Sequence, residues 1–377
     1  MKIMIEHGVP LNTGDAALIF ALGDELENCG HEVIYSTFNL KKVKMKYPER
    51  KWKASVLSHR MLNRIPFLSS LYYYLCILFS KTARQQDLII SAPGGYINSY
   101  YGFEAKLKIL SLYKKLLGKK LIMFSQSIGP LSKKDEEVLK KYIPYFTEFL
   151  VRDEPSYERM EKLGLAASVL QTYDAAFLRK PLEYNPKIKN KKIAVSVRTW
   201  DFANRSQSVY RLLIQRIVTQ VVQAGFEVVF LSTCQGEETY VDDSKEALLI
   251  YQQLPDSIQK YVEIDNNNYT LEELVQELTS YSFVIGTRLH MCILAWLAGT
   301  PAFNISYEEK GLECYRYLKM LDYTIDFNET ENFEIKLAQF LQMSSLELEN
   351  CFKEVEGVHD SMKKKLQQVL KIAAFSE

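Results

Sequence analysis

Residues 1–36, MKIMIEHGVPLNTGDAALIFALGDELENCGHEVIYS, decide the fold class. Lys2 to Glu6 is a short apolar run. The loop after it gives way near Asn12 to apolar residues at helical spacing, and Gly30 closes that helix before His31 to Ser36 (HEVIYS). Strand, loop, helix and strand in that order make a βαβ unit, the building block of a parallel sheet.

The same alternation continues outward. Asp87–Ala92 (DLIISA) predicts a strand running into PGGY, Lys106–Leu117 a helix stopped by Gly118, and Lys120–Ser125 (KLIMFS) a strand ending in QSIGP. Phe149–Arg152 is strand-like and Glu154–Leu163 helical. Stretch 177–192, FLRKPLEYNPKIKNKK, breaks the pattern with two prolines and many basic residues, and reads as an interdomain linker; a solvated loop inside one domain is the other reading. The pattern then restarts with strands at Lys192–Val197, Glu227–Ser232, Tyr261–Ile264 and Phe283–Gly286, interleaved with helices at Val209–Ala224, Leu271–Tyr281 and Met291–Leu297. Ser344–Ala374 is mostly helical and is expected to pack back on the first domain. A chain of 377 residues is long for one domain and comfortable for two. The expected architecture is α/β, with two Rossmann-like βα domains, 1–180 and 190–377, facing a cleft. Strand ends at that cleft should carry the chemistry.

Composition narrows the function. Lys+Arg total 47 against 46 Asp+Glu, a formal charge of +1, which speaks against a nucleic-acid binder held by net charge. Any anion site must therefore be local. The cysteines Cys29, Cys76, Cys234, Cys292, Cys314 and Cys351 show neither a CxxC nor a Cys/His ligand spacing, so neither zinc nor a disulfide framework is expected. A reduced cytoplasm fits, and the N-terminus carries no signal-peptide core.

Chemistry concentrates at the predicted strand ends. GxGxxG and GxxxxGK[ST] are both missing, so dinucleotide and P-loop readings lack their motifs. Asn12, Thr13, Gly14 and Asp15 stand where the first strand becomes a helix, suited either to a ligand or to plain helix capping. Gly94 and Gly95, Gln126 with Ser127, and Arg152 with Asp153 follow later strands. FVIGTRLHMCILAWLAGTP (283–301) is the most informative stretch. It places Arg288 and His290 together in the turn between a buried strand and an apolar helix, a concentration of positive charge suited to phosphate or carboxylate. Arg198 tips another strand, and Glu308, Glu309 and Lys310 follow the strand AFNI.

In order, NTGDAAL, SAPGGY, QSIGP, VRDEPSYERMEKLG, YDAAF, VSVR, GTRLH and SYEEK resemble the polysaccharide pyruvyl transferase family, over residues 12–310. PGGY is less glycine-rich than the family's loop, and YEEK stands where Tyr-Asp-x-Lys is expected. The resemblance implies a fold like the two-domain glycosyltransferase architecture called GT-B. It implies transfer of a pyruvyl group from phosphoenolpyruvate to sugar hydroxyls, with the donor on the C-terminal domain and the acceptor on the N-terminal one. It further implies that Arg288 holds the donor's phosphate or carboxylate, that His290 contacts the donor as general acid, and that Arg198 is a second anion clamp. Asp15 and Glu308 become candidates for activating the acceptor hydroxyl. Asn12, Thr13, Gly14, Gly94, Gly95, Gln126, Arg152 and Lys310 become substrate-binding candidates. Phosphoenolpyruvate is a co-substrate, and no metal or organic cofactor is implied. The rivals are a nucleotide-sugar glycosyltransferase using the same cationic helix end and a non-catalytic subunit of a polysaccharide-assembly complex.

Ile65–Ser80 (IPFLSSLYYYLCILFS) is uncharged and aromatic-rich but shorter than the ~20 residues a spanning helix needs. It reads either as a buried helix of the first domain or as a membrane-facing one. Arg60 and Arg64 before it and Lys81 and Arg84 after it suit shallow docking at the inner face of the cell membrane, near a lipid-linked acceptor.

Overall fold

The computed structural model describes residues 1–58, 66–184, 190–199, 206–236, 241–327 and 332–375. Internal contacts divide the chain into two compact units. The first comprises Met1–Leu11, Leu18–Arg179 and Asp360–Glu377; the second comprises Asn12–Ala17 and Lys180–His359. Each is a Rossmann-like parallel sheet flanked by helices, so the protein is α/β with two such domains.

In the first unit the strands are β1 (Lys2–Glu6), β2 (Glu32–Thr37), β3 (Trp52–Ala54), β4 (Leu88–Ser91), β5 (Gly94–Ile97), β6 (Lys120–Ile128), β7 (Glu148–Val151) and β8 (Leu170–Gln171). Their order is β3-β2-β1-β4-β6-β7-β8, with β5 paired to β6 off that path. The central strands are apolar on both faces, since helices cover both sides: Ile3, Ile5, Ile89, Ile90, Leu121 and Phe124 are fully buried. Each such side chain stabilises the fold by roughly 1.5–3 kcal/mol. The helices are α1 (Thr13–Asn28, shared between the units), α2 (Leu40–Lys46), α3 (Pro66–Leu78), α4 (Lys81–Gln85), α5 (Glu104–Leu117), α6 (Lys133–Tyr142) and α7 (Glu154–Lys162).

Gly94 and Gly95, a glycine pair suited either to close ligand approach or to a plain turn, open strand β5. It pairs with the far end of β6, where the register shifts between Met123 and Gln126 and Ser125 takes φ 52°. That bulge re-aims the strand and lets β6 run on to Ile128.

The second unit holds β9 (Lys192–Ser196), β10 (Glu227–Phe230), β11 (Val262–Ile264), β12 (Phe283–Gly286), β13 (Ala302–Ser306) and β14 (Thr324–Asp326), in the order β11-β10-β9-β12-β13-β14. Its helices are α8 (Gln207–Gln223), α9 (Asp243–Tyr251), α10 (Asp256–Gln259), α11 (Leu271–Leu278), α12 (Leu289–Leu297), α13 (Glu309–Tyr317), α14 (Phe333–Leu341) and the first part of α15 (Ser345–Phe375). Thr270 and Glu273 form a reciprocal capping box at the start of α11. Gly286 is required where it stands: a Cβ there would lie 2.5 Å from Cys292 Sγ, so only glycine lets α12 approach β12 so closely.

Phe177 and Leu178, at the start of the basic stretch 177–192, are buried in a short 3-10 turn of the first unit. Residues 185–189 of that stretch lie outside the described residues, as do Arg60, Arg64 and Ile65. From Asp360 onward α15 belongs to the first unit, where Lys363 pairs with Glu25 at 3.3 Å. Among the described residues no helix is long and apolar enough to cross a membrane.

Candidate functional site

Four neighbouring strands of the second unit, β10, β9, β12 and β13, end on the same edge of their sheet. The residues just beyond those ends are Thr233 and Cys234, Arg198, Thr287 and Arg288, and Tyr307 and Glu308. Parallel pairing alone brings them together, because every strand points the same way. Helices α12 and α13 begin there, and their N-cap residues, Arg288 and Glu308, make no side-chain cap. Neither is a residue type that normally caps a helix.

The Arg288 side chain is bound edge-on by Asp243, with Nε donating to Oδ2 at 3.0 Å and Nη2 to Oδ1 at 2.5 Å. Asp243 opens α9 and is fully buried. Burial pushes its carboxyl pKa up while Arg288 pulls it back, with a net rise. The same pair keeps Arg288 firmly charged against the cost of its burial. Burial beside Asp243 pushes the Cys234 thiol up to about 12, so it stands neutral and unsuited to act as a nucleophile.

Arg198 lies over the Tyr307 ring, 4.9 Å from its centroid, and donates from Nη1 to the Tyr307 hydroxyl. Its backbone N–H donates to Tyr210 Oη at 3.2 Å, and that hydroxyl shares a hydrogen bond of 2.8 Å with Thr287 Oγ1. Arg198, Ser206, Gln207, Tyr210, Thr287, Tyr307 and Phe327 line a small recess. Glu308 and Lys310 form an ion pair with each other, both partly exposed.

The Asn12–Ala17 segment belongs to this unit. Asn12 caps α1: its Oδ1 accepts from the Asp15 N–H at 2.8 Å, and its amide donates to Asp15 Oδ2 at 2.6 Å. Thr13 donates to the Thr233 carbonyl from both its backbone N–H and its hydroxyl, each at 3.0 Å. Gly14 then faces the half-buried His290. A Cβ at Gly14 would stand 2.9 Å from the imidazole Nδ1, so the missing side chain makes room for the histidine. Asn12, Thr13, Gly14, Asp15, Arg198, Arg288, His290, Glu308 and Lys310 thus share one unit.

The remaining candidates lie in the first unit. Arg152 is buried and donates to Asp174 Oδ2 at 2.8 Å and to Ser127 Oγ at 2.6 Å. Gly95 adjoins it: a Cβ there would sit 3.5 Å from Arg152 Nη2. Gln126 is fully buried with its Nε2 on the Ser127 carbonyl at 3.3 Å, and Gly94 pairs with it across β5 and β6. At the end of β1, Glu6 accepts from Ser55 Oγ at 2.7 Å and Tyr113 Oη at 3.1 Å. His7 beside it is buried, which pushes its pKa down to about 4 despite Glu6.

Sequence reading missed Asp243, Tyr210, Thr287, Tyr307 and the Glu6–His7 pair. Asp242-Asp243-Ser244 carried a usable signal, an acidic pair opening a helix. Among the described residues no group of three or more His, Cys, Asp or Glu gathers as metal ligands would.

The sequence model of the family described as "Polysaccharide pyruvyl transferase" matches residues 12–309. The "Amylovoran biosynthesis protein AmsJ" of Erwinia amylovora is 28% identical over 269 residues, which cover 66% of this chain and 63% of that protein. Among solved structures, a glycosyltransferase from Rickettsia africae superposes with a TM-score of 0.64 at 9% identity, covering 100% of this chain and 99% of that one. UDP-GlcNAc 2-epimerase from Neisseria meningitidis gives 0.62 at 12% identity, over 98% and 100%. At such identities these structures establish the shared GT-B-like fold alone.

Proposed function

Because the chain belongs to the polysaccharide pyruvyl transferase family, we propose that it moves the pyruvyl group of phosphoenolpyruvate onto two hydroxyls of one sugar, forming a ketal. The acceptor is a polysaccharide under assembly or its lipid-linked precursor, a role in keeping with the amylovoran-biosynthesis relative. The observation that carries the reading is the gathering of Arg198, Arg288 and His290 at adjacent strand ends of one unit, with Gly14 making space for the imidazole.

The donor carries a phosphate and a carboxylate on C2 of an enol. Arg198 and the Nη1 end of Arg288 grip these anions, aided by the first N–H groups of α12. Asp243 fixes the plane of the Arg288 guanidinium and cancels much of its charge, so Arg198 supplies most of the net positive field. His290 delivers a proton to the methylene carbon, which becomes methyl and leaves C2 electrophilic. One sugar hydroxyl adds to C2 and gives up its proton. The C2–O bond to phosphate then breaks, phosphate leaves with the bonding pair, and the second hydroxyl closes the ring as its proton departs. Asp15, oriented by Asn12, and Glu308, paired with Lys310, are the carboxylates proposed to receive the hydroxyl protons.

Thermal shift separates this reading from a nucleotide-sugar transferase. Phosphoenolpyruvate should stabilise the protein, and that shift should shrink in Arg198→Ala. Stabilisation by UDP- or GDP-sugars with none by phosphoenolpyruvate would overturn the assignment.

A further inference from the structure

Helix α3 is apolar on two sides. Tyr73 and Ile77 are buried in the core of the first unit. Leu71, Tyr74 and Leu75, with Phe79 just beyond the helix end, are 47%, 41%, 43% and 72% exposed. Their spacing of three, four and eight residues places them along one face. Scattered exposed apolar residues are ordinary on a protein surface, whereas a contiguous stripe of four marks a contact.

The rim of that stripe has one sign of charge. Lys53 Nζ donates to Ser80 Oγ at 3.0 Å just beyond the end of α3, and Lys108 of α5 donates to Ser70 in its middle. The exposed Arg84 guanidinium donates to the Leu78 carbonyl from Nε at 3.1 Å and from Nη2 at 2.5 Å, and Lys119 Nζ donates to the Arg84 carbonyl at 2.8 Å. Lys81 is exposed next to Phe79. No acidic residue occurs between Glu49 and Asp87, or between Glu104 and Asp135, in a chain whose overall formal charge is only +1. Helix α3 itself carries no charge, and the charged residues of α4 (Lys81 and Arg84) and those of α5 beyond Glu104 are all basic.

We propose that this face docks onto an anionic lipid bilayer. Leu71, Tyr74, Leu75 and Phe79 enter the boundary between headgroups and acyl chains, while Lys81, Arg84 and their basic neighbours meet the lipid phosphates. With 13 residues, α3 lies along the surface and does not traverse it. A second copy of the chain is a poor occupant, since two basic rims brought face to face repel. The inference stands independently of pyruvyl transfer, because its test reads binding and not turnover.

The test is flotation of the full chain with vesicles of phosphatidylcholine alone or of phosphatidylcholine with phosphatidylglycerol. Binding should be at least about tenfold stronger to the anionic vesicles and should weaken as salt is raised. Leu75→Glu with Phe79→Glu should abolish it, and Lys81→Glu with Arg84→Glu should reduce it about tenfold or more. Circular dichroism and a thermal midpoint establish that each variant is folded; Phe79→Ser, at the most exposed position, serves if the double variant is not. Absence of binding to either vesicle, equal binding to both, or unchanged binding by a folded variant would overturn the proposal. So would light scattering that shows a dimer dissolved by the same substitutions in a protein that ignores vesicles.

Discussion

Replacing Gly14 by alanine tests whether the segment Asn12–Asp15 acts through His290. The new Cβ would lie 2.9 Å from His290 Nδ1, 3.1 Å from Asn12 Oδ1 and 3.3 Å from His290 Cβ. To restore ordinary contact the imidazole must retreat by about half an ångström. The fold should barely register the change, because Gly14 lies in the first turn of α1, where alanine favours the helix by up to about 1 kcal/mol. Catalysis should register it clearly. A misplacement of about 1 Å can cost about a hundredfold, so half of that predicts roughly a tenfold fall in kcat/KM. The assay is phosphate release from phosphoenolpyruvate in the presence of an accepting glycoside, alongside a urea midpoint. Adding Gly14→Ala to a His290→Ala background should cause no further loss, since the displaced group is already gone. Wild-type turnover by Gly14→Ala, or an equal loss in the His290→Ala background, would refute the argument.

Asp243→Ala leaves Arg288 without its buried partner and should destabilise the protein by about 3 kcal/mol. That is the low end for a broken buried pair, because the Arg288 side chain keeps 18% of its surface exposed; a urea midpoint shift equivalent to under about 1 kcal/mol would contradict it. Arg152→Ala should cost about 3–5 kcal/mol, since Arg152 and Asp174 are both buried and bond at 2.8 Å. Full stability with lost turnover would instead make Arg152 a ligand-binding residue. His7 titrates near about 4 in the folded protein against its ordinary 6.5, so between those values the unfolded chain binds the extra proton. Its contribution is complete above pH 6.5 and falls away as pH drops towards 4, by about 3 kcal/mol in all. His7→Asn, which tolerates the φ of 70° at that position, should flatten that part of the stability–pH curve, and an unchanged curve would show that other groups produce the slope.

How much of this could be read from the sequence depends on where apolar periodicity coincides with burial. The opening βαβ unit was legible because β1 and β2 are short apolar runs and Gly30 ends the helix between them in the left-handed region. Helix α9 was hidden because its buried face, Asp243, Glu246, Ala247 and Ile250, carries two carboxylates, while Leu248 and Leu249 face outward. Those carboxylates are there for Arg288 and Arg211, partners remote in sequence, so the usual amphipathic pattern is inverted. Strand β5 was not legible because paired glycines suit a ligand approach or a turn equally well when no partner strand is known. Arg288 and His290 were visible as expensive residues in an apolar turn, whereas the part Tyr307 plays emerges only once its hydroxyl and ring are placed against Arg198. For Ile65–Ser80 the sequence allowed a buried helix or an exposed one, and α3 turns out to have a buried face and an exposed face.

The central claim is that this protein consumes phosphoenolpyruvate to build a ketal, with His290 supplying the proton. The most direct measurement is mass spectrometry of a small panel of β-galactoside, mannoside and lipid-linked acceptors after incubation with the protein and phosphoenolpyruvate in heavy water. The expected product is an acceptor that gains one pyruvate ketal whose methyl group carries solvent deuterium, with equimolar phosphate released, and folded His290→Ala should form it about a hundredfold or more slowly. A His290→Ala protein that turns over at the wild-type rate would contradict it, as would phosphate release with no ketal formed on any acceptor.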